Sequence, residues 1–488
     1  MKILAVARLG ALCGLGVLGG ALAAPAVEKI PITTASAEAR ELYVKGRDLF
    51  EKLRATDARP LFEQAAAKDP SFALAQVGLA NTAGTAKEFF EAVGRAVALA
   101  EKASAPEKLI ICSLDAGAKG EVSRQKDCLT KLTQSYPADE RAHNLMGGYL
   151  FGRQDYAAAV EEFKKATTLD PRFSPPYNLL GYGYRFLGKY ADAEQAFKKY
   201  IELIPNDPNP YDSYAELLMK MGRFEDSIKS YEKALSVDPN FVASYIGIGN
   251  DRVFMGQPEE ARKSFARLAA VARNDGEKRQ ALFWTAMSRV HEGSTDQALA
   301  EVQKMADIAR AGGDLAALAG DLNQMGDIML EAGRAEAAAA KYREQMATID
   351  EAAVPAQVKE ATHRQNLFDE SRVALAKNDL ATARARAAAY ASAVAAKGIP
   401  FEVRQSHELA GRIALAEKNH AAAVVELRKA NQQDPRVLYL TAVALQAAGE
   451  AQKAKEVGAQ AADFNALSPT YGYVRGKAKA MVTTPKKD

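Results

Sequence analysis

The first half of the sequence repeats itself every 34 residues. Pro137, Pro171, Pro205 and Pro239 are each 34 positions apart, and each closes a segment with the same order of small and large residues. A sustained period of this length is typical of helical solenoids, in which pairs of antiparallel helices stack on their neighbours. The period therefore predicts an all-α fold with one long surface, suited to holding another molecule.

The repeating positions have a simple packing role. Small residues at positions eight and twenty of each unit let two helices approach, and an aromatic ring at position twenty-four fills the space between them. Proline at position thirty-two ends the second helix. Counted from Glu140, three successive units hold Gly147, Ala159, Phe163 and Pro171, then Gly181, Ala193, Phe197 and Pro205, then Ala215, Ser227, Tyr231 and Pro239 at these positions.

This pattern resembles the tetratricopeptide repeat. The resemblance implies a right-handed superhelical solenoid of about a dozen helical hairpins, whose first helices line a concave inner face. Less regular units follow the same register from about residues 39, 73, 106, 242, 279, 319, 364, 404 and 435. We expect the turn within a hairpin at Gly188, Gly222, Gly256, Gly293, Gly333, Asn378, Asn419 and Gly449.

The spacing of the units divides the chain into segments. Residues 39–275 form a regular N-terminal array, and residues 276–468 form a divergent C-terminal array with longer helices or loops. Residues 24–38 are interpreted as a linker and residues 469–488 as a basic flexible tail. Such tails are usually solvated, and a specific anionic partner is the alternative. The basic residues of the tail are Arg475, Lys477, Lys479, Lys486 and Lys487.

The N-terminus predicts the compartment. Lys2 and Arg8 precede an apolar run over residues 9–23, which ends in a small-x-small site at Ala23. This is the pattern of a secretory signal peptide, residues 1–23, with cleavage after Ala23 and a periplasmic or exported chain. An uncleaved anchor is one alternative. Lipidation at Cys13 is another, although Leu12 is not the small residue expected before it.

The low net charge argues against a nucleic-acid partner. The full chain carries a net charge of +3, and removing Lys2 and Arg8 leaves about +1, with no clustered basic face for nucleic acid. No later segment is long and apolar enough to predict a transmembrane helix once the signal is removed.

Two cysteines remain after signal removal. Cys112 and Cys128 lie sixteen residues apart at positions seven and twenty-three of one unit, where the resemblance places them on facing helices. In an exported chain this favours a structural disulfide, with two buried free thiols as the alternative. Redox or metal chemistry is the least favoured reading, because the spacing is not C-x-x-C and no histidine is near in sequence.

The sequence gives little indication of catalysis. The five histidines are scattered, and none belongs to a metal or nucleophile motif; they are His143, His291, His363, His407 and His420. We therefore predict no metal, no cofactor and no enzymatic activity.

The resemblance points to candidate binding residues on the concave face. Amide side chains can bond an extended peptide backbone as both donor and acceptor, and carboxylates there would favour a basic ligand. An ordinary solvated inner face is the alternative. The candidates are Asn144, Asn178, Tyr182, Arg185, Asp212, Glu216 and Asn250.

These observations predict a non-catalytic scaffold of the bacterial cell envelope that binds a partner protein or peptide on its concave face. The alternative is a regulatory or substrate-recruiting subunit of an envelope enzyme or of secretion or polysaccharide machinery. The sequence leaves the partner and the oligomeric state open.

Overall fold

The computed structural model describes residues 29–483. Within them the chain forms 25 α-helices and one short 3-10 helix at Ala100–Lys102, without a β-strand. The first fourteen α-helices have 9 to 15 residues each. They are α1 Ala37–Glu51, α2 Ala55–Lys68, α3 Ala73–Asn81, α4 Ala86–Leu99, α5 Ala105–Ala118, α6 Val122–Ser135, α7 Glu140–Gly152, α8 Tyr156–Leu169, α9 Pro175–Phe186, α10 Tyr190–Leu203, α11 Asn209–Lys220, α12 Phe224–Val237, α13 Val242–Phe254 and α14 Pro258–Val271.

The next seven helices are longer, with 17 to 21 residues each, and four shorter helices close the chain. They are α15 Asp275–His291, α16 Thr295–Ala311, α17 Leu315–Glu331, α18 Ala335–Glu351, α19 Ala356–Ala376, α20 Leu380–Lys397, α21 Pro400–Ala416, α22 His420–Lys429, α23 Pro435–Ala447, α24 Ala451–Ala462 and α25 Tyr471–Thr483. The helices α1 to α24 pair into twelve consecutive hairpins. The predicted all-α solenoid of about a dozen hairpins is confirmed.

The packing inside each hairpin follows the sequence pattern. A side chain added at Gly181 on α9 would lie 2.4 Å from the ring of Phe197 on α10, too close for any residue but glycine. At position twenty, Ala159 and Ala193 are completely buried. The small residues therefore face the partner helix and set the distance between the two helices.

The turns agree with the sequence pattern except at one position. Gly188 has a positive φ of 73°, in the left-handed region that glycine adopts without strain. Asn378 takes the same role in the tenth hairpin, with φ of 59°. The expected turn at Asn419 is wrong by one residue, because Lys418 has the positive φ and Asn419 instead caps α22 by accepting a hydrogen bond from the Ala422 N–H.

The boundary at residue 275 is a change in helix length within a continuous core. The largest hydrophobic cluster runs from Ala215 on α11 to Ile328 on α17 without a break. The longer helices α15 to α21 account for the irregular spacing after residue 275. The two arrays are therefore one continuous stack.

Early hairpins contact later ones. Arg273, just before the eighth hairpin, pairs with Asp57 of the first hairpin at 2.9 Å, and Arg54 lies 3.6 Å from Asp238, just before the seventh. Further along, the turn of the sixth hairpin at Gly222 lies against Asn465, after the twelfth hairpin. We call this line of contact between early and late hairpins the seam. It shows that the solenoid coils back onto itself.

The expected flexible basic tail is wrong for residues 471–483, which form the helix α25. Tyr471 packs edge-on against Phe254 of α13, with ring centroids 5.0 Å apart. The hydroxyl of Tyr473 accepts a hydrogen bond from Gln324 of α17, and Arg475 lies over the Phe254 ring at 4.5 Å. This helix crosses the first helices of successive hairpins, so it covers part of the inner face.

The segment interpreted as a linker is also held by the solenoid over residues 29–36. The Ile30 N–H donates to Asp139 at 2.8 Å, and the Thr33 N–H donates to Glu107 at 2.7 Å. The Thr34 hydroxyl donates to Asp69 at 2.6 Å. The extended chain thus crosses the starts of three successive hairpins and ties them together.

Overpacking one hairpin tests the close approach of its helices. Replacing Ala193 by Leu on α10 should lower the free energy of unfolding by about 1–3 kcal/mol, because the site has no room for a larger side chain. The measurement is the urea midpoint, followed by circular dichroism. Ala191→Leu on the exposed side of the same helix is the control, and equal midpoints for the two variants would contradict the packing.

Candidate functional site

The inner face predicted to bind a peptide is largely closed. Asn178 is 6% exposed, Asp212 5% and Asn250 fully buried, while Asn144 is half-buried. The Asn250 amide donates to the Ile246 carbonyl of its own helix at 2.9 Å. A ladder of amides open to an extended ligand is therefore not present in this structure.

Three of the candidate residues form one half-buried cluster across α9 and α11. Glu216 accepts a hydrogen bond from the Tyr182 hydroxyl at 3.0 Å and another from Arg185 Nη1 at 3.0 Å. The Arg185 guanidinium also lies over the Tyr182 ring, 4.7 Å from its centre. The cluster joins the fifth and sixth hairpins and leaves Glu216 with a fully paired charge.

Asp212 lies one helical turn before Glu216. It accepts a hydrogen bond from the Ser244 hydroxyl on α13 at 2.7 Å. Burial, followed by the repulsion of Glu216, raises the pKa of Asp212 to about 8. This carboxyl therefore holds its proton at neutral pH and offers no negative charge to a ligand.

The charge on this part of the inner face is opposite to that expected. The prediction of an acidic surface for a basic ligand is wrong, because Asp212 is protonated and Glu216 is neutralised by Arg185. The charge left over belongs to Lys220 at the end of α11. Burial, aided by the nearby Arg185 charge, lowers the pKa of Lys220 to about 8.

An open cavity lies in the seam beside these residues. It has a volume of about 440 Å³, within the size range of ligand-binding clefts. The fifth and sixth hairpins form one wall, and the twelfth hairpin with its flanking segments forms the other. The cavity is lined in part by Arg185, Phe186 and Lys220 on the first wall and by Gln433, Gln460 and Phe464 on the second.

Of the binding residues expected from the sequence, only Arg185 lines this cavity. Lys220 and Phe464 meet there with the Lys220 amino group 4.3 Å from the centre of the ring. They come together only because the chain coils back on itself, and no local sequence pattern indicates a contact over that separation. Phe186 follows the candidate Arg185 on α9, and Lys220 lies one turn after the candidate Glu216 on α11, whereas the sequence pattern does not point to the opposing wall.

Cys112 on α5 and Cys128 on α6 are joined by a disulfide across the third hairpin. Their Cα atoms lie 6.2 Å apart, within the usual range for a bonded pair. Cys128 is buried, at 6% exposure. The bond ties the two helices of one hairpin together.

The surroundings of His143 and His291 indicate structural roles. His143 Nδ1 pairs with Glu162 at 2.6 Å and its Nε2 with the Pro137 carbonyl at 2.9 Å. Burial lowers the pKa of His291 to about 4. No set of three His, Cys, Asp or Glu side chains in residues 29–483 is arranged to hold a metal ion. Across the same residues no helix combines the length and apolarity needed to cross a bilayer.

Family models of the tetratricopeptide repeat match residues 43–107, 140–173, 174–207, 208–241 and 246–314. The chain contains tetratricopeptide repeats. The matched residues lie in the first and second hairpins and in the fourth to eighth. A comparison with curated proteins finds none that matches the chain.

A comparison with solved structures finds matches to parts of this chain. A crystal structure of MamA protein is 22% identical, with a TM-score of 0.29, and the match covers 36% of this chain and 93% of that one. MamA from Desulfovibrio magneticus RS-1 is 19% identical, with 34% and 94% covered and a TM-score of 0.30. A tetratricopeptide repeat protein from Parabacteroides merdae is 15% identical, with 56% and 94% covered and a TM-score of 0.36. At these scores the likeness adds nothing to the architecture described above.

Asp212 should make stability depend on pH. Its pKa is raised to about 8 in the folded chain. Between about pH 4 and pH 8 the folded chain therefore keeps a proton that the unfolded chain releases. The free energy of unfolding consequently falls as pH rises through this window. Asp212→Asn should remove this loss and become more stable than wild type as pH rises from 5 to 8, measured as urea midpoints. Asp226→Asn, at a half-buried position where the hydrogen bond from Arg223 lowers the pKa of the carboxyl, should show no such gain. If the difference in urea midpoint between Asp212→Asn and wild type did not change with pH, the raised pKa would be contradicted.

The disulfide predicts sensitivity to reductant. Closing a loop of about 15 residues is worth about 3 kcal/mol in the chain-entropy model, so reduction should lower the thermal midpoint of the purified chain. A variant with both Cys112 and Cys128 changed to Ala should not respond. Titrating thiols in unfolded, unreduced protein checks the bond directly, and two free thiols from this pair would rule it out.

Proposed function

We propose that this chain is a non-catalytic protein-interaction scaffold of the bacterial cell envelope, and that its partner is a protein or peptide. The observation that carries the proposal is the continuous stack of twelve hairpins. Solenoids of this kind work through the extended surfaces of stacked units. The tetratricopeptide repeats support the same class of function.

The partner would bind at the cavity in the seam. Aromatic rings, amides and charged groups converge there on an open space, which is the composition typical of recognition sites. The proposed binding site therefore lies between the fifth and sixth hairpins on one side and the twelfth on the other.

The envelope location rests on two features. Residues 1–23, which lie outside the described residues, have the pattern of a secretory signal. A disulfide between Cys112 and Cys128 suits an oxidising compartment. Alkaline phosphatase fused after Asp488 should be active in cells that express the full chain and inactive when residues 2–23 are deleted. Equal activity of the two fusions would contradict export by this segment.

Blocking the cavity tests the binding site. Gln460 is an exposed residue of α24 on the cavity wall, and Gln460→Trp would place a large ring in the opening without disturbing the core. Recovery of partner proteins from envelope extract should fall several-fold. Gln452→Trp, an exposed position on the same helix outside the cavity lining, is the matched control, together with Ala substitutions of the outer-face residues Lys164 and Lys198. Equal recovery by Gln460→Trp and its controls would place binding elsewhere.

A further inference from the structure

The lining of the cavity in the seam includes a largely buried cation without a counter-charge. Lys220 forms no ion pair with any carboxylate in residues 29–483. Its nearest partner is the Phe464 ring, 4.3 Å from the amino group. Lys220 is also the last residue of α11, where the helix dipole supplies only partial negative charge. A largely buried ammonium group is costly to hold without a full opposite charge.

The other two charged residues of the lining are a paired cation and an exposed carboxylate. Arg185 is paired with Glu216 at 3.0 Å. Asp463, the carboxylate in the lining, is exposed to solvent, and its charge opposes the burial that lowers the pKa values of Arg475 and Lys479. The largely buried charge in the lining that no carboxylate of residues 29–483 pairs with is therefore that of Lys220.

The rest of the lining is apolar or amide. Phe186 stacks on Tyr156, with ring centroids 4.5 Å apart and an angle of 10° between the planes, so it gives a rigid apolar wall. Phe464 forms the opposite wall. The side chains of Gln433 and Gln460 add amide groups that can donate hydrogen bonds to an acceptor.

From this arrangement we infer that the cavity binds a carboxylate carried on an apolar body, with Lys220 as the counter-charge and the rings of Phe186 and Phe464 enclosing the apolar part. The inference rests on the proposed binding role of this cavity and names the chemistry of what enters it. Such a carboxylate belongs either to a free small acid or to an acidic segment of a protein partner. Either ligand would bridge the two walls of the seam and hold it closed.

The test uses the full-length chain and defined probes. The probes are 3-phenylpropionate and its neutral analogue 3-phenylpropionamide, and the peptide acetyl-Phe-Asp-Phe-amide and its Asn counterpart. Both acids should raise the thermal midpoint of the wild type by several degrees and give a calorimetric binding signal, whereas the neutral analogues should not, because binding to the folded state stabilises it. A response to the free acid assigns a small ligand, and a response to the peptide alone assigns a protein partner.

The variant that decides the inference is Lys220→Met. It removes the charge and keeps an unbranched side chain, so the folded chain should be at least as stable as wild type. Neither acid should shift its midpoint, whereas Lys198→Met, at an exposed position, should respond as wild type does. An equal response of Lys220→Met and wild type would overturn the inference, and so would the absence of any response in wild type. If Gln460→Trp still reduced partner capture in that case, the scaffold function would stand without the anion site.

Discussion

The contact between a small residue on the first helix and an aromatic ring on the second sets the geometry of the stack. It is present in the regular array, where Gly181 faces Phe197, and again in the divergent array, where a side chain added at Gly326 would lie 2.4 Å from the ring of Tyr342. Close-packed interiors leave no slack at such contacts. Because each hairpin is held at a similar spacing, small rotations between neighbours accumulate into a coil.

The coil closes on itself, and this closure determines which surfaces are accessible. Early hairpins meet late ones through ion pairs such as Arg273 with Asp57, while α25 lies across the inner helices through Tyr471. The inner face expected to hold a peptide is consequently filled by the chain's own residues. One cavity that stays open lies between the fifth and sixth hairpins and the twelfth. The proposed binding site is thus at a contact between distant parts of the sequence.

The sequence predicted correctly those features that depend on residues close together in the chain. The period of 34 residues identifies the hairpins, and the turn glycines follow from local backbone geometry. The charge of the C-terminus was misleading, because Tyr471, Val474, Arg475 and Ala478 are buried at helical spacing, a pattern that was present in the sequence beside the lysines. The pairing of Lys220 with Phe464 could not be predicted, since it depends on how far the whole stack rotates. The same holds for the burial of Asp212.

The closure of the inner face depends on α25 being packed against the inner helices, and hydrogen exchange measures this packing directly. In the intact chain the helical amides of residues 475–482 should exchange slowly, because Tyr471, Tyr473 and Val474 anchor α25 in the same buried cluster as the middle of α15. Residues 475–482 exchanging at the rate of an unstructured peptide, while α15 remains protected, would contradict the closed inner face and reopen it as the binding surface.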